Sequence, residues 1–136
     1  MTFERITDIA IFYEFSKGDK TLYRDANYLR AEAHWNKDKL FMEKTTGGEG
    51  AYAVTLRKTY CRLLYIVVNP TARGRGIGKA MMRRLIKVCR ARGLRKITLR
   101  CNKENGIAEF YKQFGGKITG AKDGDWEMEI PVCFTS

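Results

Sequence analysis

Residues 67–78 of this chain of 136 residues read V-V-N-P-T-A-R-G-R-G-I-G, and this stretch decides the fold. An apolar, β-branched run ends at Val68, and a helical pattern of apolar residues begins near Gly76. The stretch therefore predicts a buried strand, a tight glycine-rich turn and the first residues of a helix.

The turn contains three glycines, Gly74, Gly76 and Gly78, that alternate with Arg and Ile. Without side chains there, backbone N–H groups can point at one small volume, and the helix start adds unpaired N–H donors and the positive end of its dipole. A turn that only changes the chain direction needs one or two glycines. We therefore expect the turn to bind a phosphate group. Three cations flank it: Arg73, Arg75 and Lys79.

The glycine spacing excludes two common phosphate-binding motifs. A dinucleotide fingerprint needs G-x-G-x-x-G and a carboxylate about 20 residues later, but the third glycine comes one residue early and residues 98–102 contain no Asp or Glu. A P-loop needs G-x-x-x-x-G-K-[ST], but Lys79 is followed by Ala80 and Gly74 is one residue too close. The expected ligand therefore belongs to another class of phosphate-bearing molecule.

Length and composition predict one domain, residues 1–136, because 136 residues of which 44% are hydrophobic suffice for a core. The chain has no run of about 18 apolar residues and no apolar signal core near its N-terminus. It therefore predicts neither a membrane span nor a secretory signal. We expect a cytoplasmic protein without a membrane partner.

The cysteines and the histidine predict neither a metal site nor a Ser-His or Cys-His catalytic pair. The four cysteines have no C-x-x-C spacing, and three lie in apolar strand or helix patterns, which is typical of buried reduced thiols. They are Cys61, Cys89, Cys101 and Cys133. His34 is the only histidine. We expect it to pack or cap, and we expect no metal.

The net charge of +11 is concentrated in one part of the chain. Residues 50–103 contain 15 Lys or Arg and no Asp or Glu, whereas the remainder contains 11 basic and 15 acidic residues. A bound polyphosphate accounts for part of this charge. The excess indicates either a polyanionic partner (nucleic acid, the ribosome or an acidic protein) or a solvated charged face, and the sequence favours neither.

Hydrophobic periodicity predicts two helices and three strands before the turn. The first helix spans residues 3–15, with an apolar stripe of Phe3, Ile6, Ala10 and Tyr13. The second is capped by Thr21 or Asp19, ends at Lys37-Asp38, and has a stripe of Leu22, Ala26, Leu29 and Ala33. The strands are residues 40–44, 51–57 and 61–68, the first two joined by a hairpin through T-T-G-G-E-G.

After the turn, the pattern predicts a helix, a strand, a short helix and one or two further strands. The first helix continues to about Arg92, where Gly93 ends it, and its apolar face consists of Ile77, Met81, Leu85 and Val88. Its opposite face carries a cationic stripe of Lys79, Arg83, Lys87 and Arg90. The remaining elements are a strand at 95–101, a helix at 105–114, and strands at 117–120 and 126–132. This order predicts a mixed α/β sheet.

The pattern Arg73-x-x-Gly76-x-Gly78, preceded by Val68-x-Pro70, resembles the pyrophosphate-binding motif of the GNAT superfamily of acyl-CoA N-acyltransferases. On the short helix, three residues at i, i+3 and i+6 before a glycine turn resemble the family's helix after the fifth strand. They are Asn105, Ala108 and Tyr111. The resemblance covers roughly residues 61–132.

The resemblance implies an α/β (α+β) fold, with a GNAT-like mixed, mostly antiparallel central sheet flanked by helices and a splayed central strand pair. Two features depart from the family. Gly115-Gly116 stands where the family usually has Gly-Phe, so a core aromatic is missing or supplied by Phe114. The helix predicted at the N-terminus implies that the family's first strand is absent.

The resemblance also implies an acyl-CoA site, with acetyl-CoA as donor. Pantetheine would lie between residues 64–68 and 97–101, and a backbone N–H of β-strand residues 67–68 would polarise the thioester carbonyl. Tyr111 would protonate the leaving thiolate. The implied cofactor-binding residues are Ile66, Val67, Val68, Arg73, Gly74, Arg75, Gly76, Ile77, Gly78, Lys79 and Asn105. A core role for Tyr111 and a helix cap at Asn105 stay open.

These implied features predict an N-acetyltransferase that transfers an acetyl group to a primary amine, of a protein lysine, an N-terminus or another acceptor, by direct attack in a ternary complex. No general base is assigned, because residues 60–69 contain no carboxylate. The candidates considered are Tyr60, Tyr65, Glu43, Glu127 and Glu129. The alternative is a weak or inactive GNAT-fold module that binds nucleic acid or another polyanion through the cationic stripe. A homodimer is compatible with both.

Overall fold

A computed structural model of the chain describes residues 1–16, 26–36 and 39–132. In these residues the chain forms, in order, β1 (Phe3–Arg5), α1 (Ala10–Ser16), α2 (Ala26–Asn36), β2 (Leu40–Thr45), β3 (Gly50–Leu56), β4 (Tyr60–Val68), α3 (Ile77–Ala91), β5 (Lys96–Asn102), α4 (Ile107–Lys112), β6 (Lys117–Lys122) and β7 (Asp125–Pro131). A 3-10 turn, Pro70–Ala72, lies between β4 and α3. No helix in these ranges has the length and apolar character that crossing a membrane requires.

The strands form one sheet in the order β1-β2-β3-β4-β5-β7-β6. Every neighbouring pair is antiparallel except β4 and β5, which run parallel. The predicted mixed, mostly antiparallel sheet flanked by helices is therefore confirmed. Each strand predicted after residue 39 overlaps an observed one.

β4 and β5 are paired at one end only. Tyr60 lies opposite Lys96, and the pairing stops at Arg62 and Thr98, although β4 continues to Val68. Paired strands lie about 4.8 Å apart, so the unpaired halves open a gap in the middle of the sheet. This gap is the splayed central pair that the family resemblance implied.

A β-bulge in β4 explains why the pairing stops. Ala53 lies opposite Tyr65 and Val54 opposite Leu63, so Leu64 is an extra residue without a partner on β3. A bulge bends its strand and increases the local twist. Because Leu64 follows the last residue paired with β5 so closely, the bend turns the second half of β4 away from β5.

The prediction of a helix over residues 3–15 is wrong in its first half. Phe3–Arg5 pairs with β2 as an edge strand, and the helix begins only at Ala10. The backbone donors and acceptors along β2 favour a strand here, and Asp8 Oδ1 accepts the Ala10 N–H at 2.9 Å, which marks the helix start. The prediction that the family's first strand is absent is therefore also wrong.

Apolar side chains pack on both faces of the sheet. α3 and α4 cover one face, where the predicted apolar side of α3 is buried. α1 and α2 cover the other face near β4, where Phe12 and Leu29 are fully buried and the ring of Phe12 lies edge-on to Tyr65, with centroids 5.3 Å apart. α3 ends at Ala91, and Gly93, at φ +72°, follows it as predicted.

Some predictions fall outside the described residues. These are the cap and end of the second helix, at residues 19–22 and 37–38, and the state of Cys133. The other three cysteines are buried and free, in agreement with the prediction. His34 is exposed and lies edge-on to Trp35, with ring centroids 5.3 Å apart.

The Gly115-Gly116 pair replaces Gly-Phe for a steric reason. Gly115 has φ +85°, and the Gly116 N–H donates to the Tyr111 carbonyl at 3.1 Å. A Cβ on Gly116 would lie 2.6 Å from that oxygen, so no side chain fits there. Phe114 packs against the core with its ring 5.4 Å from Phe110, and thus supplies the core aromatic.

Candidate active site

A cleft of about 800 Å³ opens between the unpaired halves of β4 and β5. One wall is formed by residues 63–68 of β4, and the other by residues 99–102 of β5 together with α4. Arg73 and Gly78 of the glycine turn line it, as does Tyr111 of α4. The lining is completed by Glu104, Asn105, Ile107 and Phe110.

The chain that leaves β4 is held by its own hydrogen bonds. The Asn69 N–H donates to the Glu49 carbonyl at 2.8 Å, and Asn69 Oδ1 accepts from the N–H and hydroxyl of Thr71 at 3.2 and 3.0 Å. Pro70 begins the 3-10 turn, a position where no N–H is needed. The asparagine and proline of the motif therefore set the direction in which the chain approaches α3.

Gly74 and Gly76 have φ of +80° and +77°, which glycine adopts readily. A Cβ at either residue would meet no heavy atom of the described residues within 4 Å, so no described side chain occupies the space beside them. α3 starts after Gly76 with no cap from a described side chain, and its first intrahelical bond joins the Ala80 N–H to the Gly76 carbonyl at 3.0 Å. The N–H groups of residues 77–79 have no acceptor within the helix. Together with the helix dipole, these donors can accept an anion, and we refer to this helix start as the cradle.

Arg73 and Gly78 connect this cradle to the cleft. The Arg73 Nε–H donates to the Val68 carbonyl at 3.2 Å, which fixes a positive charge at the end of β4. A Cβ on Gly78 would lie 3.4 Å from Phe110 Cζ. Glycine at this position therefore lets α3 and α4 approach closely without a side chain that would fill the cleft.

Tyr111 lines the cleft from α4 and is buried, with 6% of its surface exposed. Its ring packs edge-on against Phe110, with centroids 5.2 Å apart. Burial raises the pKa of the Tyr111 phenol above its ordinary value of 10.0, and the nearby Cys101 thiol raises it further. The phenol is therefore protonated at neutral pH, as a proton or hydrogen-bond donor must be.

The predicted site residues divide into two groups. Seven line the cleft: Ile66, Val67, Val68, Arg73, Gly78, Asn105 and Tyr111. Five lie at the cradle and do not line the cleft: Gly74, Arg75, Gly76, Ile77 and Lys79. The Ile77 side chain is buried in the core, with 5% exposed, so only its backbone can face a ligand. Lys79 is exposed, and Arg75 Nε–H donates to the Ala72 carbonyl at 3.4 Å.

Asn105 precedes α4 instead of beginning it, which corrects the predicted helix start. α4 begins at Ile107, and Asn105 Oδ1 accepts the Ile107 N–H at 3.1 Å across Gly106, whose φ is +71°. An asparagine amide also carries two N–H donors. Asn105 can thus cap the chain with its oxygen and offer its NH₂ group to a ligand in the cleft.

Sequence reasoning missed four polar or aromatic cleft residues: Arg100, Asn102, Glu104 and Phe110. The alternation of β5 places Arg100 and Asn102 on the face opposite the buried Leu99 and Cys101. This alternation was visible in the sequence. The side chains of Arg100 and Asn102 line the cleft, however, only because β4 turns away from β5.

The carboxylates considered as general base are engaged in ion pairs: Glu43 with Arg84, Glu127 with Arg62 and Arg100, and Glu129 with Lys96. Tyr60 lies at the closed end of β4, away from the cleft, whereas Tyr65 lines it. Among the described residues of the lining, Glu104 is the only carboxylate. The geometry therefore selects none of the carboxylate candidates as a base.

The sequence profile of the acetyltransferase (GNAT) family matches residues 6–115. The chain belongs to this family. An N-acetyltransferase of Methanocaldococcus jannaschii, described as uncharacterised, is 45% identical over 121 residues, which cover 79% of this chain and 54% of that protein. The chain spans about half the length, or less, of the curated relatives that it matches.

Solved acetyltransferase structures share the fold. The ribosomal-protein-S18-alanine N-acetyltransferase of Escherichia coli has a TM-score of 0.78 at 18% identity, with 99% of this chain and 96% of that chain covered. The PaiA N-acetyltransferase of Thermoplasma acidophilum, in complex with coenzyme A, has a TM-score of 0.73 at 16% identity, with 96% and 99% covered. At such identities the likeness establishes the fold alone.

Proposed function

We propose that this protein is an N-acetyltransferase that transfers an acetyl group from acetyl-CoA to a primary amine by direct attack in a ternary complex. The observation that carries the proposal is the cleft, which extends from Arg73 and Gly78, beside the start of α3, to the buried phenol of Tyr111. A ligand with a pyrophosphate at one end and a thioester at the other matches both ends. Membership of the GNAT family, and the coenzyme A in the PaiA complex, support this donor.

The residues present fit acetyl-CoA. The N–H groups of residues 77–79 would hold the pyrophosphate, with Arg73, Arg75 and Lys79 as counter-charges. The unpaired edge of β4 at residues 66–68 and the Asn105 amide would bind the amide groups of the pantetheine arm. When bound, acetyl-CoA supplies the activated acyl group.

The chain contributes position and charge to the reaction. A backbone N–H at residue 67 or 68 would polarise the thioester carbonyl. Tyr111 would donate a hydrogen bond, and then a proton, to the departing thiolate. A thiol has a pKa of about 8.5, so its anion is the less stable form near neutral pH and is stabilised by a hydrogen-bond donor. The amine would arrive deprotonated, or it would first lose its ammonium proton to water. The proton that nitrogen releases when the C–N bond forms would return through water to the Tyr111 phenolate, which regenerates the phenol.

Incubation with isotopically labelled acetyl-CoA tests the activity directly. The acceptors are a panel of proteins, peptides with free N-termini, RNA and polyamines, and the products are read by mass spectrometry. We expect the label on an amine of at least one class. Complete absence of label, under conditions in which the protein binds acetyl-CoA, would argue for a binding module instead.

Gly76→Glu is expected to abolish acetyl-CoA binding, because it places bulk and a carboxylate in the anion cradle. Wild-type protein at a donor concentration of about 100 times Kd should gain about 2.7 kcal/mol in the free energy of unfolding. This gain is measured as a rise in Tm with acetyl-CoA and with free coenzyme A. The variant should show no rise.

Gly93→Glu is the matched control for this variant. Gly93 has φ +72°, close to the +77° of Gly76, lies at the opposite end of α3, and also has open space beside its Cβ position. Both variants should lose similar stability without ligand, because both strain the backbone equally. Only Gly93→Glu should keep the rise with acetyl-CoA, and equal rises in the two variants would exclude the cradle as the pyrophosphate site.

The exposed face of α3 supports a second candidate function. The cationic stripe of Lys79, Arg83, Lys87 and Arg90 is exposed along its whole length. Such a surface suits nucleic acid or another polyanion, with or without catalysis in the cleft. Filter binding of single-stranded and duplex oligonucleotides across a salt series tests it: affinity that falls steeply with salt supports this function, and no binding at low salt removes it.

A further inference from the structure

A second cavity, of about 510 Å³, lies between the β1–β2 edge of the sheet and the last turns of α3. The described residues that line it are all different from those that line the cleft between β4 and β5. α3 has 15 residues and a helix rises about 1.5 Å per residue, so this cavity and the glycine turn lie at opposite ends of a helix roughly 20 Å long. The strands contribute Arg5, Phe41 and Glu43, and the helix side Arg84, Lys87 and Arg92.

The cavity has an excess of positive charge. Among the described residues of its lining, Glu43 is the only carboxylate. Arg84 donates to it through Nε and Nη2, each 2.9 Å from a carboxylate oxygen. Three further cations remain, Arg5, Lys87 and Arg92, and all are exposed. In the described part of the chain, no carboxylate lies within ion-pair distance of these three.

Phe41 holds two of these cations in place. Its ring is buried, with 6% exposed, and the guanidinium carbons of Arg5 and Arg92 lie 4.2 and 5.2 Å from its centroid. These are cation–π distances. Because both groups are fixed before any ligand arrives, an anion that binds them loses less side-chain entropy on binding.

The dipole of α3 does not account for this arrangement. Cations near a helix C-terminus offset its negative end, which gives a reason for Arg92. Arg5, however, belongs to β1, and the sheet pairing places it opposite Glu43. Arg84 forms the ion pair with Glu43, and Arg5 adds a Coulombic attraction that lowers the pKa of the Glu43 carboxyl. Two cations therefore face this one carboxylate, so the cavity keeps an excess of positive charge.

We propose that the cavity between Arg5, Lys87 and Arg92 is a binding site for a phosphate-bearing small molecule, separate from the cleft. Guanidinium groups match the oxygens of a phosphate in bidentate geometry, and a lysine ammonium adds a third charge. A phosphate monoester carries about −1.5 to −2 near neutral pH. It therefore compensates three cations better than a single carboxylate does. The site is independent of the proposed acetyltransferase activity.

The test is a calorimetric titration of Gly76→Glu protein with tripolyphosphate, because the glycine cradle of this variant does not compete for the anion. Saturable binding is expected. Adding Arg5→Gln/Arg92→Gln should weaken it by at least about tenfold, since both guanidinium contacts are lost. Lys87→Gln, which leaves the Phe41 contacts in place, should weaken binding by about threefold or more. This variant still tests the site if the double substitution prevents folding. Arg83→Gln, at an exposed residue of the cationic stripe that lies outside the cavity, is the control and should not alter binding.

Weaker binding in the cavity variants and unchanged binding in the control would support the site. Absence of saturable binding, unchanged affinity in the cavity variants, or tighter binding of citrate than of tripolyphosphate would overturn it. Arg5→Gln/Arg92→Gln in the wild-type background should keep its acetyl-CoA shift, and loss of that shift would contradict a separate site. The two proposals can thus fail independently.

Discussion

Tyr111→Phe is expected to lower kcat by about 10²–10⁴-fold while acetyl-CoA binding stays intact. The substitution removes only a hydroxyl, and the ring keeps its edge-on contact with Phe110 in the buried cluster. Burial holds the pKa of the phenol above 10.0, so it is a donor across the usual assay range. Without it the departing thiolate has no donor from α4. The measurement is kcat with the acceptor found by labelling, together with the Tm shift.

Tyr60→Phe is the matched control. Tyr60 lies at the closed end of β4, opposite Lys96, and does not line the cleft. Its loss of a hydroxyl should leave kcat close to that of the wild type. If Tyr111→Phe also turns over at the wild-type rate, Tyr111 is a core tyrosine and the proton comes from another group.

The glycine turn and α3 were predictable because their determinants are local. The positive φ of Gly74 and Gly76, the apolar side of α3 and its termination before Gly93 all follow from residues within a few turns of one another. Local pattern also predicted β5, whose Ile97, Leu99 and Cys101 are buried in alternation. The glycine turn, α3 and β5 could therefore be predicted without knowledge of the tertiary structure.

The first strand and the bulge were not predictable, because both depend on residues distant in sequence. Phe3–Arg5 has helical periodicity and becomes a strand only because β2 offers it a free edge. Leu64 is an extra residue only in relation to β3. The width of the cleft, which follows from this bulge, therefore could not be derived from the sequence of β4.

Glu43 shows the same limit for a single side chain. From the sequence it was an acid on a strand, and thus a candidate base. In the fold it contacts Arg84, which is 41 residues away, and accepts a hydrogen bond from the Tyr52 hydroxyl. Only the packing of α3 on β2 and β3 shows that this carboxylate is structural.

Arg84→Met is expected to destabilise the protein by about 3–5 kcal/mol at neutral pH, because it leaves the Glu43 carboxylate buried without its cationic partner. Glu43 is 4% exposed and accepts two hydrogen bonds from Arg84 at 2.9 Å. The measurement is the free energy of unfolding from urea denaturation. Arg83→Met, at the exposed neighbouring residue, should change it by less than about 0.5 kcal/mol.

This loss of stability should shrink as the pH falls. Burial acts to raise the pKa of Glu43, but the hydrogen bonds from Arg84 and Tyr52 and the nearby positive charges outweigh it, so the pKa lies below 4.5 in the folded protein. A carboxylate with a lowered pKa stabilises the fold above its unfolded pKa and loses this effect as the pH falls through its folded pKa. Arg84→Met removes both effects of Arg84 that lower this pKa, so the pKa of Glu43 should be higher in the variant than in the wild type. Protonation of Glu43 then removes the buried charge that lacks its partner. The difference between the two proteins should therefore be largest at pH 7. It should decline as the pH falls through the pKa of Glu43 in the variant, and then through its lower pKa in the wild type.

Adding Glu43→Leu to Arg84→Met should restore much of the lost stability, because replacing both members of a buried ion pair by apolar residues is often neutral. The Tyr52 hydroxyl then lacks its acceptor, so Tyr52→Phe in the same protein should restore more. Two results together would assign the effect to the packing of the Arg84 side chain. The double variant would be as unstable as Arg84→Met alone, and the stability lost in Arg84→Met would not change with pH. The charge on Glu43 would then contribute little to the contact between α3 and the sheet.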